Sequence, residues 1–407
     1  MTRPVVLHVL PDLALGGGQV VVQRHLAALA GGGFAHEVLH FGGSLEMQPA
    51  YDELGLPLHR LPWRGRGAVP ALRREVAALV ARLGPAVVHT NGTFVDKLLV
   101  QEQAWRRRIP HVTTLHGSWP GLPLPLGRPK RVYRALETRL LRRLEAFLDR
   151  RTLSAVIAVS EAARRSWLER LRRCGVDEAR VRVIESGLPV DRFRPLDGDE
   201  RARRRAEAGV GPSDPVVLCV SRLHEGKNCA VLPALLAAVR RELPRARLVV
   251  VGDGPERDRL AAEAARLGLG EAFAMPGAAL DVRDHYRLAD LVVFPSRDEG
   301  FGLVPFEALA CGVPVLSFAI PSLDRLAAAT PALRRVDVGD LDAMAAAAVA
   351  LLRDLQALAG MGASGREAVV AGWSLEASAR AWEAVYTSVV QSGGVRPVDG
   401  TPAAGAS

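Results

Sequence analysis

The chain has 407 residues, enough for two domains at about 100–200 residues each. With 49% hydrophobic and 24% charged residues it has an ordinary globular composition, which excludes wholesale disorder. No apolar run approaches the ~20 residues of a membrane-spanning helix. The net charge of +9 favours an anionic partner such as a phosphate, a nucleotide or a lipid surface. Only three of the 53 cations are lysines (Lys97, Lys130 and Lys227). Such a bias, with abundant Ala, Gly and Pro, reads as the coding habit of a GC-rich bacterial genome. Arginine richness is therefore poor ground for nucleic-acid binding, and none is expected.

In chain order, Val5–Leu10 is the first buried strand; as an apolar stretch it is too short for the core of a signal peptide, so a cytoplasmic protein is expected. Further apolar runs at Glu37–Phe41, Ala86–Thr90, His111–Leu115 and Val156–Val159 read as parallel strands. Gln19–Ala30, Val69–Leu83 and Phe94–Arg107 carry apolar residues at helical spacing, and another helix follows Ser160, a plausible N-cap. Residues 1–185 thus form one doubly wound domain. Gly187, Pro189, Pro195 and Gly198 interrupt the pattern, so 186–199 reads as a linker.

The alternation restarts in a second domain, 200–374. Its strands are expected at Val216–Val220, Arg247–Val251, Ala272–Met275, Leu291–Phe294 and Val313–Ser317. Its helices are expected at Cys229–Leu243, Glu256–Leu267, Val282–Ala289, Val304–Cys311 and Asp340–Leu358. A last helix, 375–392, carries Trp382, Val385 and Tyr386 and is expected to cross back to the first domain; 393–407 is Gly/Pro/Ala-rich and expected to be disordered. The fold class is therefore α/β: two Rossmann-like doubly wound domains facing across a cleft. Cys174, Cys219, Cys229 and Cys311 show no Cys-x-x-Cys spacing and read as reduced, buried thiols.

Several junctions between strand and helix carry chemistry. Leu15-Gly16-Gly17-Gly18-Gln19 permits close backbone approach and aims helix amides at an anion, although such turns also arise for steric reasons. After Val216–Val220 comes Ser221-Arg222-Leu223-His224-Glu225-Gly226-Lys227-Asn228. Arg222 and Lys227 suit a pyrophosphate clamp, against the plainer reading of two solvated loop cations. A lysine at 227, where this chain almost always uses arginine, argues for a compact point charge. Gly252-Asp253-Gly254-Pro255-Glu256 either flanks a nucleotide base or is a plain turn. In Glu299-Gly300-Phe301-Gly302-Leu303-Val304-Pro305-Phe306-Glu307, Glu299 lies in a loop. Glu307 lies on an apolar helix, where a carboxylate needs a partner; a pair of ribose hydroxyls would supply one. The amides of Gly300, Phe301, Gly302 and Leu303 can face an anion.

Glu299 and Glu307 form an E-x7-E pattern that resembles retaining glycosyltransferases of family 4 (glycosyl transferases group 1), with the two-Rossmann GT-B fold. Supporting matches are GGGQ (16–19), TLHG (114–117), AVSEAARR (158–165), VIESGLPVDRFRP (183–195), SRLHEGKN (221–228), VVVGDGPE (249–256) and ADLVVFPS (289–296). They span about residues 5–390 in the family's order. The resemblance implies that Glu307 holds the donor ribose and Glu299 contacts sugar hydroxyls near the anomeric centre. It implies that Arg222 and Lys227 bind the pyrophosphate, that His116 of TLHG faces the reacting sugar, and that the Gly16–Gly17 loop faces donor or acceptor. Ser186-Gly187 departs from the family's frequent Asn-Gly, which puts a side-chain contact there in doubt.

The expected activity is transfer of a sugar from a nucleotide-diphosphate sugar to an acceptor hydroxyl with retention of configuration. The acceptor would be a glycan, a glycolipid or a small-molecule alcohol. No cofactor and no metal are expected: Asp197/Asp199 lie in the linker and Asp340/Asp342 open a late helix. The alternatives are a sugar-nucleotide 2-epimerase of the same fold and a non-catalytic carbohydrate-binding subunit. Finally, 128–151 carries nine cations against three acids, with Leu136, Leu140, Leu144 and Leu148 in one helical stripe, widened by Leu141 and Phe147. It reads either as a peripheral contact with the inner, anionic face of the cell membrane or as an ordinary packed helix with solvated arginines.

Overall fold

A computed structural model describes residues 3–91, 95–118, 141 and 143–393. The chain divides into two compact units. The first takes Met1–Ala14, His25–Ile184 and Ala379–Ser407 so far as these are described, and the second takes Leu15–Arg24 and Glu185–Ser378. The expected 186–199 linker therefore lies inside the second unit. Its end is already helical: Asp197 accepts from the Glu200 amide and caps helix Gly198–Glu207. The first turns of helix Gly17–Ala28 also group with the second unit.

The first unit is built on seven parallel strands: β1 Val5–Leu10, β2 Ala35–His40, β3 Leu58–Arg60, β4 Val87–Thr90, β5 His111–Leu115, β6 Leu153–Ala158 and β7 Val181–Val183, in the order β3-β2-β1-β4-β5-β6-β7. β1, β4 and β5 are buried on both faces, and their valines and leucines are interrupted only by buried histidines and threonines. Leu7, Val9, Leu39 and Val88 of the sheet pack with Leu72, Val76, Leu79 and Val80 of helix Val69–Leu83 and with Leu99, Val100 and Ala104 of helix Val95–Arg107. Ser160 caps helix Glu161–Arg173 by accepting from the Ala163 amide at 3.0 Å.

The sheet also holds His8, His36, His40, His89 and His111, all buried. Helix Leu375–Gln391 contributes from Ala379 onward to this unit. Its Trp382 stacks on His25 with ring centres 4.2 Å apart, and Tyr386 is 2.7 Å from Nδ1 of His89.

The second unit has six parallel strands: β8 Val216–Val220, β9 Arg247–Val251, β10 Phe273–Gly277, β11 Leu291–Phe294, β12 Val315–Phe318 and β13 Leu333–Val336, in the order β10-β9-β8-β11-β12-β13. Both orders reverse direction beside the first strand, the Rossmann-like arrangement. The strands absent from the sequence reading, β3, β7 and β13, are all edge strands. An edge is half solvated, so its residues (Leu-His-Arg, Val-Arg-Val, Leu-Arg-Arg-Val) lack the apolar signature.

The helix expected over Asp340–Leu358 is two helices, Leu341–Leu352 and Leu355–Gly372, bent by 101°. The break is local chemistry: the Asp354 side chain accepts from the amides of Gln356 and Ala357 and starts a new helix. Among the described residues no single helix is long and apolar enough to cross a membrane. All four cysteines are free and buried. The expectation of a disordered tail falls almost entirely on residues outside the described ones.

Candidate active site

In open parallel sheets, ligands bind beyond the carboxyl ends of the strands, where the strand order reverses. In the second unit that point lies between β8 and β11, and two of the expected site residues come from its two sides. The loop after β8 makes a short 3-10 turn, Glu225–Lys227, closed by Asn228 in the left-handed conformation (φ +55°). Asn228 Nδ2 donates to the Pro295 carbonyl at 3.3 Å, tying the loop to the end of β11. Lys227 Nζ donates to Glu299 Oε1 at 2.7 Å, and both side chains are largely buried. Arg222, at the start of the same loop, is exposed, and no ion pair joins it to another described residue.

The loop after β8 rests on the Gly252–Gly254 turn. Leu223 N donates to Asp253 O at 2.8 Å and Glu256 N to Leu223 O at 3.0 Å. Gly252 (φ +148°) passes so close that a Cβ there would lie 1.8 Å from the Ser221 carbonyl oxygen; at Gly254 (φ +152°) it would lie 2.4 Å from that of Leu223. The turn thus packs directly against the loop that carries Arg222 and Lys227, and only glycine fits it.

Glu307 sits in helix Leu303–Ala310, whose first turn follows Gly302 (φ +83°) with no side-chain cap. Phe301 is buried and stacked on Phe306 with centroids 4.3 Å apart, so it offers a ligand its backbone, not its ring. Glu307 is 5% exposed and already partnered within the protein: Tyr286 donates to Oε2 at 2.9 Å and Arg24 to Oε1 at 2.6 Å. The partner expected of a carboxylate on this apolar helix is thus present within the protein. Neither Arg24 nor Tyr286 was legible as a partner, because 283 and 21 residues separate them from Glu307. Gly16 and Gly17 group with this unit; a Cβ on Gly17 would meet Leu303 Cδ1 at 3.9 Å. Asp340, like Asp197, is a helix cap, accepting from the Ala343 amide at 2.8 Å.

In the first unit, His116 follows β5 and Asn91 follows β4, again at the carboxyl edge. Asn91 is buried, and its Nδ2 donates to the His89 carbonyl at 3.4 Å. That orients Oδ1 toward His116 Nε2, 3.1 Å away. Burial, helped by nearby His25, pushes the His116 pKa down to about 4. The imidazole is therefore neutral at pH 7, with Nε2–H donating to Asn91 and Nδ1 left as an acceptor. Asn91 is a positioning residue that the sequence did not reveal. In Asn91→Asp, a carboxylate about 3 Å from the ring is expected to raise the His116 pKa by about 1–3 units. Imidazole nitrogen shifts followed from pH 8 to 6 should then show His116 beginning to titrate in the variant and silent in the wild type. A silent ring in both would disprove the coupling.

The description Glycosyltransferase Family 4 matches residues 15–192, and Glycosyl transferases group 1 matches residues 200–368. The D-inositol 3-phosphate glycosyltransferase of Segniliparus rotundus is 35% identical over 230 residues, 54% of this chain and 50% of that protein. The GDP-mannose-dependent alpha-(1-6)-phosphatidylinositol monomannoside mannosyltransferase of Mycolicibacterium smegmatis is 35% identical over 204 residues, 48% of this chain and 53% of that protein. The chain thus spans about half the length of these relatives. The crystal structure of Anabaena HepE in complex with UDP and glucose aligns with a TM-score of 0.78 over 95% of this chain and 100% of that one, at 19% identity, a likeness of fold. With both family descriptions matched in succession over two Rossmann-like units of the GT-B class, the chain belongs to glycosyltransferase family 4.

Proposed function

We propose that the protein transfers a sugar from a nucleoside-diphosphate sugar to a hydroxyl of a glycolipid or other glycan acceptor, with retention of configuration. The observation that carries this reading is the Lys227–Glu299 pair at 2.7 Å, beside the free guanidinium of Arg222 and the uncapped start of the Glu307 helix. Arg222, the helix start and Lys227, on exchanging Glu299 for phosphate, would supply the positive potential a departing diphosphate needs, next to carboxylates able to hold hydroxyls.

In the proposed reaction the bond from the anomeric carbon to the diphosphate oxygen breaks and a bond to the acceptor oxygen forms on the same face. The acceptor proton passes to the departing phosphate. Arg222 and Lys227 hold the diphosphate. Glu307 exchanges its Arg24 contact for ribose hydroxyls, and Glu299 accepts from sugar hydroxyls. Backbone amides of Gly300–Leu303 and the Gly16–Gly17 loop complete the donor site. No metal is required in this scheme, because the two cations supply the charge. The two relatives are named for inositol-containing acceptors, one of them a lipid, which favours a lipid-borne acceptor here. The peripheral membrane contact expected of 128–151 belongs with that acceptor, although 128–140 and 142 lie outside the described residues. The epimerase alternative is not favoured, since both relatives are named as transferases.

The test is a panel of UDP- and GDP-sugars screened by thermal shift, then assayed for transfer. The expected result is stabilisation by one donor class and full turnover in excess chelator. Activity that vanished in chelator and returned with Mg²⁺ would overturn the metal-free scheme. Nucleotide-sugar epimerisation without acceptor would overturn transfer itself.

A further inference from the structure

Helix 143–152 turns both of its acids inward. Asp149 Oδ1 accepts from Lys97 at 2.7 Å, and Glu145 pairs with Lys97 at 3.3 Å and with Arg170 at 2.5 Å. Glu145 and Asp149 are 6% and 2% exposed, so their charge is spent inside the protein. At 100° per residue, the outward arc of about 120° holds Arg143, Leu144, Phe147, Arg150 and Arg151, all exposed, and no acid.

Leu144 is 45% exposed and Phe147 41%, whereas Leu148 is buried. The Leu144–Leu148 stripe read from the sequence is therefore not one surface; the outer apolar pair is Leu144 and Phe147. The end of helix Val95–Arg107 adds Trp105, 43% exposed, with its ring centre 5.8 Å from that of Phe147. The Arg151 guanidinium lies over the Phe147 ring at 3.7 Å. Exposed Arg106, Arg107 and Arg108 follow Trp105, and the nearby Glu102 is occupied by Arg73 and Arg106.

We infer that this face, Trp105 with Leu144 and Phe147 in a ring of arginines, seats the protein on an anionic lipid bilayer. The side chains are those of an interfacial contact: aromatic and aliphatic tips for the headgroup boundary, cations for lipid phosphates. An aliphatic tip such as Leu144 and the lack of amide or hydroxyl side chains on the arc favour lipid over nucleic acid. The inward pairing of both acids makes the charge complementarity complete. The inference rests on the proposed lipid-borne acceptor for its purpose, but vesicle binding needs no donor, so failure of one is distinguishable from failure of the other.

The test is sedimentation of the full chain with phosphatidylglycerol and phosphatidylcholine vesicles in low and high salt. Wild type is expected to bind only the anionic vesicles and to be released by salt. Replacing Arg143, Arg150 and Arg151 together by Gln should lower partitioning by on the order of 100-fold, since each near-surface cation adds about 1 kcal/mol. Phe147→Ala with Trp105→Ala should weaken binding without removing its salt dependence. Brominated lipids should quench wild-type tryptophan emission, and Trp105→Phe should abolish most of that quenching. These residues are exposed, so thermal melting should not change. Equal binding of the triple variant, no anionic-vesicle binding by wild type, or a preference for short duplex DNA over vesicles would each overturn the inference.

Discussion

Lys227→Ala should lower kcat/KM for the sugar donor by about 10–100-fold, the factor that corresponds to losing a charge-assisted hydrogen bond of about 1.5–3 kcal/mol. Two consequences of the geometry sharpen this expectation. The lysine also neutralises Glu299, with which it pairs at 2.7 Å, so the variant loses a diphosphate contact and leaves a mostly buried carboxylate without that partner. Lys227→Arg should recover activity only in part, because a planar fork replaces a compact ammonium.

Arg222→Ala provides the control. Its guanidinium is exposed, so donor affinity should fall while thermal melting stays unchanged. Glu307→Gln is expected chiefly to raise the donor KM, and Glu299→Gln chiefly to lower kcat. Calorimetry with the nucleoside diphosphate, alongside steady-state kinetics, reads both effects. Wild-type kinetics in Lys227→Ala and Arg222→Ala together would remove the clamp from the mechanism.

Acid should unfold the first unit at a pH that leaves most globular proteins intact. Eight of the ten histidines lie in this unit. Burial drives the pKa of His8 and His89 well below 6.5, that of His36 to about 4 and that of His111 to about 3. Neighbouring histidines push His8 and His89 further down, and Lys97 does the same to His111. At His36, Arg3 acts in the same direction while Glu383 opposes it.

In the unfolded chain these rings take up protons below about pH 6.5; in the folded chain they stay neutral until about pH 4 or lower. The unfolded state therefore binds more protons across that window, and stability falls as pH drops through it. Four such groups together withdraw roughly 5 kcal/mol per pH unit, against a total stability of about 5–15 kcal/mol for a typical protein. Melting followed by circular dichroism should be flat from pH 8 to 7 and collapse between about pH 6 and 4.5. Trp382, stacked on His25, provides a fluorescence report of the first unit. His36→Gln should reduce the pH slope by about one proton. Equal melting temperatures at pH 7 and 5 would contradict the linkage.

Much of this protein was legible from residue order alone. Buried parallel strands are rich in valine and leucine, so β1, β4, β5, β8, β9 and β11 stand out. Glycines at strand–helix junctions, an N-capping serine at 160 and the motifs around Arg222, Lys227, Glu299, Glu307 and His116 are all local patterns of a few residues. They were enough to indicate two Rossmann-like units and the family.

What the tertiary structure decided is whatever depends on partners distant in sequence. Lys227 meeting Glu299 requires two loops, 72 residues apart, to emerge at one reversal of strand order. Glu307 is satisfied by Tyr286 and Arg24, and His116 is oriented by Asn91, contacts that no periodicity encodes. The edge strands escaped because half-solvated backbone carries no apolar run. The outward face of helix 143–152 was misread because helical spacing shows which residues share a stripe, while only packing against Lys97 and Arg170 shows which stripe is turned inward.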